Sequence, residues 1–514
     1  MDRRLFLSDL ARVAALAALV PNEWRVTRRP RLVDDPFLLG VASGDPTPTG
    51  ATIWTRLAPR PLEPDGGMEG QRTVVAWEVA EDEGFARIAQ RGRATAVPEL
   101  SHSIHVDVDG LLAGHWYFYR FTAGGATSAI GRLRTTPPPA AAGVPLRFAF
   151  VSCQHYEQGL FTAYRHLAME ELDLVAHLGD YIYEYGAIDG RTRRHAAREC
   201  LTLDDYRARY AQYKTDADLQ AAHRLCPWVL TWDDHEVDNN YAGLVGENAM
   251  ESEEQMRLRR AAAYQAWWEH QPVRVPRARS WTDLAITRSM DWGALARFWV
   301  LDTRQYRSRH PCNGSSGAHV VPCAEASDPA RTMMGEAQAR WLMNGLGDSR
   351  ARWQVLANQV MMAPYDNTPG PERRLSMDTW SGYAAERDRL LGAIAERAAN
   401  RTVVLTGDIH SNWVSELHSS FSRPNAPVVA TEFVGTSISS GGDGSDAWAT
   451  PEVLADNPHM KWHNARRGYV SCVVSPDEWR AAYRVVPFVT KPDAPVTTAT
   501  TWRTERGRAG VQKV

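Results

Sequence analysis

Residues 146–154, LRFAFVSCQ, decide how this chain is read. An apolar run of strand length stops abruptly at Ser152-Cys153-Gln154, the pattern of a buried parallel strand that ends in polar residues. Two other segments repeat it: LDLVAHLGDYIYEY (172–185) runs into Asp180 and Tyr183, and RTVVLTGDIHSNW (401–413) runs into Asp408 and His410. Three adjacent strand ends would gather Cys153, Asp180, Tyr183, Asp408 and His410 at the carboxyl edge of one sheet, where open α/β folds keep their sites. A thiolate, carboxylates, a phenolate and an imidazole in one crevice suggest a metal-dependent hydrolase.

Around these segments, strands alternate with helices. LFTAYRHLAMEEL, SEEQMRLRRAAAYQAWWEH, GEAQARWLMNGL and AERDRLLGAIAERA carry helical spacing, while WVLTW, ARFWVLD and RWQVLANQV read as buried strands. The expected architecture is a layered α/β domain over 146–490, with a sheet on each side of the core and a C-terminal tail at 491–514. Upstream, 38–136 is a series of short alternating runs split by Gly, Pro and Asp turns, which predicts a small all-β sandwich of immunoglobulin or fibronectin type. PPPAAAGVP at 137–145 is a stiff connector and a domain boundary.

At 514 residues the chain has length for two or three domains, and a net charge of −3 gives no support for a nucleic-acid partner. The basic residues are almost all arginine, with only Lys214, Lys461, Lys491 and Lys513 among 58. Arginine favours phosphate forks, but coding bias accounts for the skew more simply. Residues 1–30 open with Asp2-Arg3-Arg4-Leu5-Phe6-Leu7 and a weak apolar stretch, which matches a twin-arginine export signal; an ordinary amphipathic helix is the blander reading. Export permits disulfides. Cys312 and Cys323, flanking a Gly/Ser-rich loop, are the natural pair; Cys200 with Cys226 is a weaker one, Cys472 has no evident partner, and Cys153 is reserved for metal.

Each motif has a structural alternative. Gly179-Asp180 could be a plain turn beside core tyrosines, GDIH (407–410) simply a turn, Cys153 a buried structural thiol or a nucleophile near His155, and TWDDHEVDNN (231–240) a solvated helix start capped by Asp233. Four such segments together make coincidence a poor explanation. A phenol ionises at neutral pH only beside a strong Lewis acid, so tyrosine with thiolate, carboxylate and imidazole favours Fe(III) over zinc.

The order SCQ, GDYIYEY, DDHEVDNN, LDTRQYR, GDIHSNW and EFVGTSISSGG resembles the alkaline phosphatase D family of calcineurin-like metallophosphoesterases. The likeness extends to FLLGVASGDPTPTGATIWTRLAP (37–59) and NPHMKWHNARRGYV (457–470), so it spans nearly the whole chain. It implies a phosphomonoesterase and phosphodiesterase using one iron and one or two calcium ions, exported already folded. Cys153 then takes the place of the first Asp of the common metallophosphoesterase pattern, Asp180 bridges the metals and Tyr183 completes the iron site. Asp408 replaces the first His of the usual G-H-x-H motif, and His410 keeps the second. A hard-oxygen calcium site would use Asp180, Asp408 and one of Asp234 or Asn239, with Asn358 a further candidate.

In this scheme His235 stabilises or protonates the leaving group. Arg304 is either a phosphate fork or a structural arginine held by Asp302, and His459 and His463 are not assigned. The implied substrates are small phosphate esters, with phospholipids or teichoic-acid-like polymers as further partners, and the implied location is periplasmic or extracellular. Phospholipase D action by the same site is the alternative enzyme reading. A non-catalytic surface protein with a decayed enzyme domain is the alternative of another class, against which the intact ligand set argues.

Overall fold

The computed structural model describes residues 34–248, 250–314, 319–446 and 450–514, so the export signal expected at 1–30 lies outside the described residues. Two large sheets face each other. The first has ten strands in the order Val511–Lys513, Thr497–Glu505, Glu478–Val486, Arg467–Val474, Leu146–Val151, Leu174–His177, Trp228–Leu230, Val41–Thr47, Gly50–Arg56 and Ser103–Val108. The second has seven: Arg288–Trp292, Ala296–Val300, Trp353–Ala357, Thr402–Thr406, Val428–Val434, Asn412–His418 and Met460–Asn464.

The strand ends that carry the motifs therefore do not share one sheet, as the repeated pattern suggested. Cys153 and Asp180 follow strands of the first sheet and Asp408 follows a strand of the second. All run parallel to their motif-bearing neighbours: Leu174–His177 pairs with both Leu146–Val151 and Trp228–Leu230, and Thr402–Thr406 pairs with Trp353–Ala357 and Val428–Val434. Alternate residues of the two sheets interdigitate. Phe148, Phe150, Leu174 and Val229 from one meet Phe298, Val355, Val403, Leu405 and Phe433 from the other in a closed apolar layer.

Helices cover both outer faces. On one side Leu203–Lys214 and Glu253–His270 enclose an aromatic-rich core that includes Tyr206, Tyr210, Trp228, Trp232 and Trp267. Each of these two helices starts in a capping box, Thr202 with Asp205 and Ser252 with Gln255, which satisfies amide donors that a helix start leaves free. On the other side Glu336–Asp348 and Ala384–Arg397 bury Leu342, Leu346, Leu390, Leu391 and Ile394. The segment LFTAYRHLAMEEL yields only a short helix, Thr162–Leu167.

The N-terminal strands do build a sandwich, in which Val41, Ile53 and Ile104 pack against Val75, Val79, Tyr119 and Phe121 of a five-stranded sheet. One of its two layers, however, is continuous with the ten-stranded sheet, because Val41–Thr47 pairs in parallel with Trp228–Leu230. At the other end, 491–514 is not a tail. Thr497–Glu505 and Val511–Lys513 extend the same sheet at its far edge, the first pairing with the strand Glu478–Val486 and the second with the first. Among the described residues no helix is long and apolar enough to cross a membrane.

Candidate metal centre

The site begins as four strained residues on three turns. Cys153 (φ 58°), Asp180 (φ 56°), Asp408 (φ 63°) and His410 (φ 56°) all adopt the left-handed conformation that side-chain-bearing residues avoid. Such strain is held only where surrounding structure enforces it, and it concentrates at functional sites. Here Cys153 N–H donates to Gly179 O at 3.1 Å and Gln154 N–H to Asp180 O at 3.0 Å, tying the first two turns together.

Two glycines allow the turns to converge. A Cβ on Gly179 would lie 2.4 Å from Asp233 Cβ, and one on Gly407 would lie 2.6 Å from Ser152 Oγ. The first contact brings Asp180 against 233–236; the second brings the second sheet's strand end onto the first sheet's. Glu236 locks the result, accepting from Asp180 N–H at 3.0 Å, Tyr181 N–H at 2.6 Å and Asp233 N–H at 2.8 Å.

One half of the site is chemically mixed. Ligating atoms of Cys153, Asp180 and His410 all lie within 4.8 Å of one another. Tyr183 Oη joins them, donating to Asp180 Oδ2 at 2.9 Å and lying 3.1 Å from His410 Nε2. The other half is acidic: Asp233, Asp234 and Asp408 form a second group within 4.8 Å, and Asp180 and Asp234 share a third with His235. Asp180 Oδ1, Asp233 Oδ2 and Asp234 Oδ1 are buried with no hydrogen-bond partner. Buried carboxylate oxygens normally find a donor, so three without one point to a cation.

His235 Nδ1 lies 2.8 Å from Glu184 Oε2, and its ring packs at a tilt against Tyr183 with centroids 4.0 Å apart. Burial would lower its pKa, but Glu184, Asp234 and Asp180 outweigh burial and raise it well above the usual histidine value. His410 is driven the opposite way, down to about 3, by burial and then by Arg467 and His235. Burial pushes the Cys153 thiol and the Tyr183 phenol up, with the Asp180 charge adding to both. Asp180 and Asp408 are likewise raised, first by burial and then by neighbouring acids. Cys153, Tyr183, Asp180 and Asp408 thus hold their protons more firmly than free side chains do, and a cation would displace them.

Other expected residues fall differently. Arg304 is fully buried and is not an open phosphate fork: Nε donates to Asp233 Oδ1 at 2.5 Å and Nη1 to Asp378 Oδ1 at 2.8 Å, while Nη2 lies 3.5 Å from Asp234 and 3.8 Å from Asp408. Asp302 bonds only its backbone N–H. Asn239 turns away from the carboxylates, its amide nitrogen donating to Glu247 at 2.6 Å. Asn240 is the residue that faces them. Its backbone N–H donates to Asp234 Oδ2 at 2.7 Å, and rotating its amide lets the nitrogen reach Asp234 Oδ2 at 3.2 Å and Asp378 Oδ2 at 3.3 Å. In the unrotated orientation its oxygen faces the same two acids, which a cation would favour. Asn358 is taken up inside the sheet by Val360 O, Thr406 Oγ1 and Trp380 Nε1.

Residues 233–240 form buried turns, not a solvated helix start. Cys312 and Cys323 form a disulfide, whereas Cys200 and Cys226 are free and buried apart, as are Cys153 and Cys472. His459 bonds Pro364 O, and His463 packs on Trp413. Sequence reading missed Asp233, Glu184, Glu236, Asp378 and Asn240 as members of the site. The first three and Asn240 lie inside motifs already singled out, so proximity in sequence was a usable signal; Asp378 had none.

A cavity of about 180 Å³ adjoins Asp408, with Asp378 and Asn240 on one side and His319, Met361 and Tyr365 on the other. A larger one, about 460 Å³, lies far from these groups beside Pro46 and Arg288; it has no converging ligand set, so we place the chemistry at the smaller cavity.

Comparison with known proteins identifies the family. The PhoD-like phosphatase model matches residues 148–483, and the model for the N-terminal domain of PhoD-like phosphatases matches 23–137. Alkaline phosphatase D of Bacillus subtilis is 46% identical over 524 aligned residues, covering all of this chain and 89% of that protein. A solved structure titled as that of PhoD is 47% identical, with a TM-score of 0.91 over 94% of this chain and 93% of the other.

Proposed function

Because the chain belongs to the PhoD-like phosphatase family and is a phosphoester hydrolase, we propose that its converged strand ends form a two-part metal centre acting on phosphate monoesters and diesters at alkaline pH. The observation that carries this reading is the meeting of Cys153, Asp180 and His410 within 4.8 Å, with the Tyr183 phenol hydrogen-bonded to Asp180. Thiolate, phenolate and imidazole suit Fe(III). The all-oxygen group of Asp180, Asp233, Asp234 and Asp408, with Asn240 beside it, suits one or two calcium ions. When bound, these ions would supply charge for the phosphoryl oxygens and lower the pKa of an attacking water.

The protein's own groups divide the remaining work. Bare carboxylates repel a phosphate, so the acidic half admits substrate only when cations neutralise it. His235 is oriented by Glu184 through Nδ1, which leaves Nε2 to hold a proton for the departing oxygen. Arg304 keeps Asp233 and Asp378 in place instead of gripping substrate. The cavity beside Asp408 offers His319, Met361 and Tyr365 to the organic part of the ester. The Arg3-Arg4 pair, with the Cys312–Cys323 disulfide, supports twin-arginine export to an oxidising compartment.

The test is release of p-nitrophenol from mono- and bis-p-nitrophenyl phosphate by iron- and calcium-loaded protein, run beside phosphatidylcholine. Turnover of the p-nitrophenyl esters supports the reading. Inertness toward all three overturns it, and preferential cleavage of phosphatidylcholine would move the substrate class to phospholipids.

A further inference from the structure

EFVGTSISSGG, at 432–442, begins in the last residues of the strand Val428–Val434, and its loop supplies no group to either half of the site described above. Its backbone nevertheless wraps the Cys153 turn. Ile438 N–H donates to Ser152 O at 3.1 Å, and the N–H groups of Ser439 and Ser440 reach Cys153 O at 3.4 and 3.3 Å. Arg467 fastens the loop from behind: Nε donates to Gly442 O at 2.7 Å, and Nη1 to Ser437 Oγ at 3.2 Å and to His410 O.

Within this loop Ser440 is fully buried. Its Oγ lies 2.7 Å from Tyr183 Oη, 2.7 Å from Cys153 O, and accepts His155 N–H at 3.0 Å. A serine hydroxyl has one proton to donate, so it can serve Cys153 O or Tyr183 Oη but not both fully. With Tyr183 neutral, the phenol proton goes to Asp180 Oδ2 at 2.9 Å and the two acceptors of Ser440 are comparable. Once a ferric ion displaces that proton to solvent, Tyr183 Oη becomes a charged acceptor, and bonds to charged acceptors are roughly twice as strong as neutral ones.

We infer that Ser440 is a positioning residue for Tyr183, donating its hydroxyl proton to the metal-bound phenolate and so setting how strongly that oxygen donates to iron. The inference rests on the ferric reading of the mixed half. A hydrogen bond to the phenolate lowers the energy of its lone pairs. Phenolate-to-iron charge transfer then needs more energy, and the ferric state is stabilised less.

Ser440→Ala should therefore move the charge-transfer band to longer wavelength and lower the iron reduction potential, while iron content holds. Resonance Raman excited in that band should show shifted tyrosinate ring modes and an unchanged iron–sulfur stretch. Ser440→Thr, which keeps the hydroxyl, should restore the wild-type spectrum. Ser439→Ala is the control: its Oγ donates to His155 O at 2.9 Å and makes no contact with Tyr183, so the band should stay in place. In wild type, exchange into D₂O should shift the tyrosinate C–O mode, a measurement independent of how any variant folds. A coloured wild type with no D₂O shift, or an unmoved band in Ser440→Ala, overturns the role of Ser440. Equal shifts in Ser440→Ala and Ser439→Ala overturn it too, by tracing the effect to the loop as a whole. A wild type that binds iron without any such band overturns the ferric reading itself.

Discussion

Arg304 and Lys214 are both buried cations, and their surroundings could hardly differ more. Arg304 sits among acids, bonded to Asp233 and Asp378 and within 3.8 Å of Asp234 and Asp408. Lys214 lies against rings, with Nζ 4.3 Å from the Trp54 centroid and 5.2 Å from that of Tyr181. Burial opposes the charge of both. Around Arg304 the carboxylates outweigh burial and raise its pKa; around Lys214 no carboxylate compensates and its pKa falls to about 7. The acid region is over-supplied: among the described residues, Asp180, Asp233, Asp234 and Asp408 outnumber the cations Arg304 and His235 that face them. Its surplus acids hold protons that ions from outside would replace. The Lys214 region asks for none and simply carries the desolvation penalty.

The sharpest way to break this contrast is to remove the external ions. EGTA should abolish turnover and calcium restore it, while a ferric charge-transfer band should persist if Cys153, Tyr183 and His410 hold a different ion, as proposed. Full activity after exhaustive chelation would take calcium out of the acid region. Asp180→Asn goes further, since Asp180 belongs to both halves. It should lose iron and calcium together, and activity by more than the roughly 100-fold that loss of an outer partner costs; retention of either ion at wild-type stoichiometry would show that Asp180 is not shared.

His235→Ala tests the proton held at the edge of the acid region. Acid–base assistance contributes about 10²–10⁴-fold, so an alkyl phosphate should lose activity in that range with iron content unchanged. Loss for p-nitrophenyl phosphate should be smaller, because that leaving group departs without a proton. Equal losses for both would recast His235 as a binding group. Arg304→Met should cost about 3–5 kcal/mol in unfolding free energy, the usual penalty when one partner of a buried ion pair is removed. Added calcium should recover part of it by replacing the missing positive charge, and recovery by magnesium and sodium to the same degree would argue against a specific site.

Much of the acid region was legible from residues 152–154, 179–185, 231–240 and 407–410, because a strand that ends abruptly in ligating residues declares both its direction and its purpose. What alternation cannot declare is a partner. Phe148 and Val403 read alike as buried strand residues, yet they belong to facing sheets, so a single carboxyl edge was the wrong picture. The same limit hid the pairing of Val41–Thr47 with Trp228–Leu230, which joins two regions that a proline-rich connector seemed to separate. Asn239 was chosen where Asn240 faces the acids because a one-residue turn reverses a side chain, and no periodicity governs a turn. Asp378 stood in no motif; only the fold brings it to Arg304.

The smallest effect expected is in the Lys214 region, and it sharpens the contrast from the other side. With a folded pKa near 7 against an ordinary value of 10.5, the unfolded chain binds a proton between those values that the native protein does not. Stability gains from this group as pH rises through that window, at no more than about 1.4 kcal/mol per pH unit. Below pH 7 the penalty is constant at its maximum, and above 10.5 it vanishes. Acids such as Glu236, raised to about 8 by burial, act in the opposite sense below that pH. They are common to wild type and Lys214→Met, so the difference between the two unfolding profiles isolates the lysine. Lys214→Met should be the more stable protein at pH 7, with its advantage shrinking toward pH 10. An advantage that is constant with pH would mean that Lys214 stays charged in the native state, held by the Trp54 and Tyr181 rings as firmly as Arg304 is held by its acids.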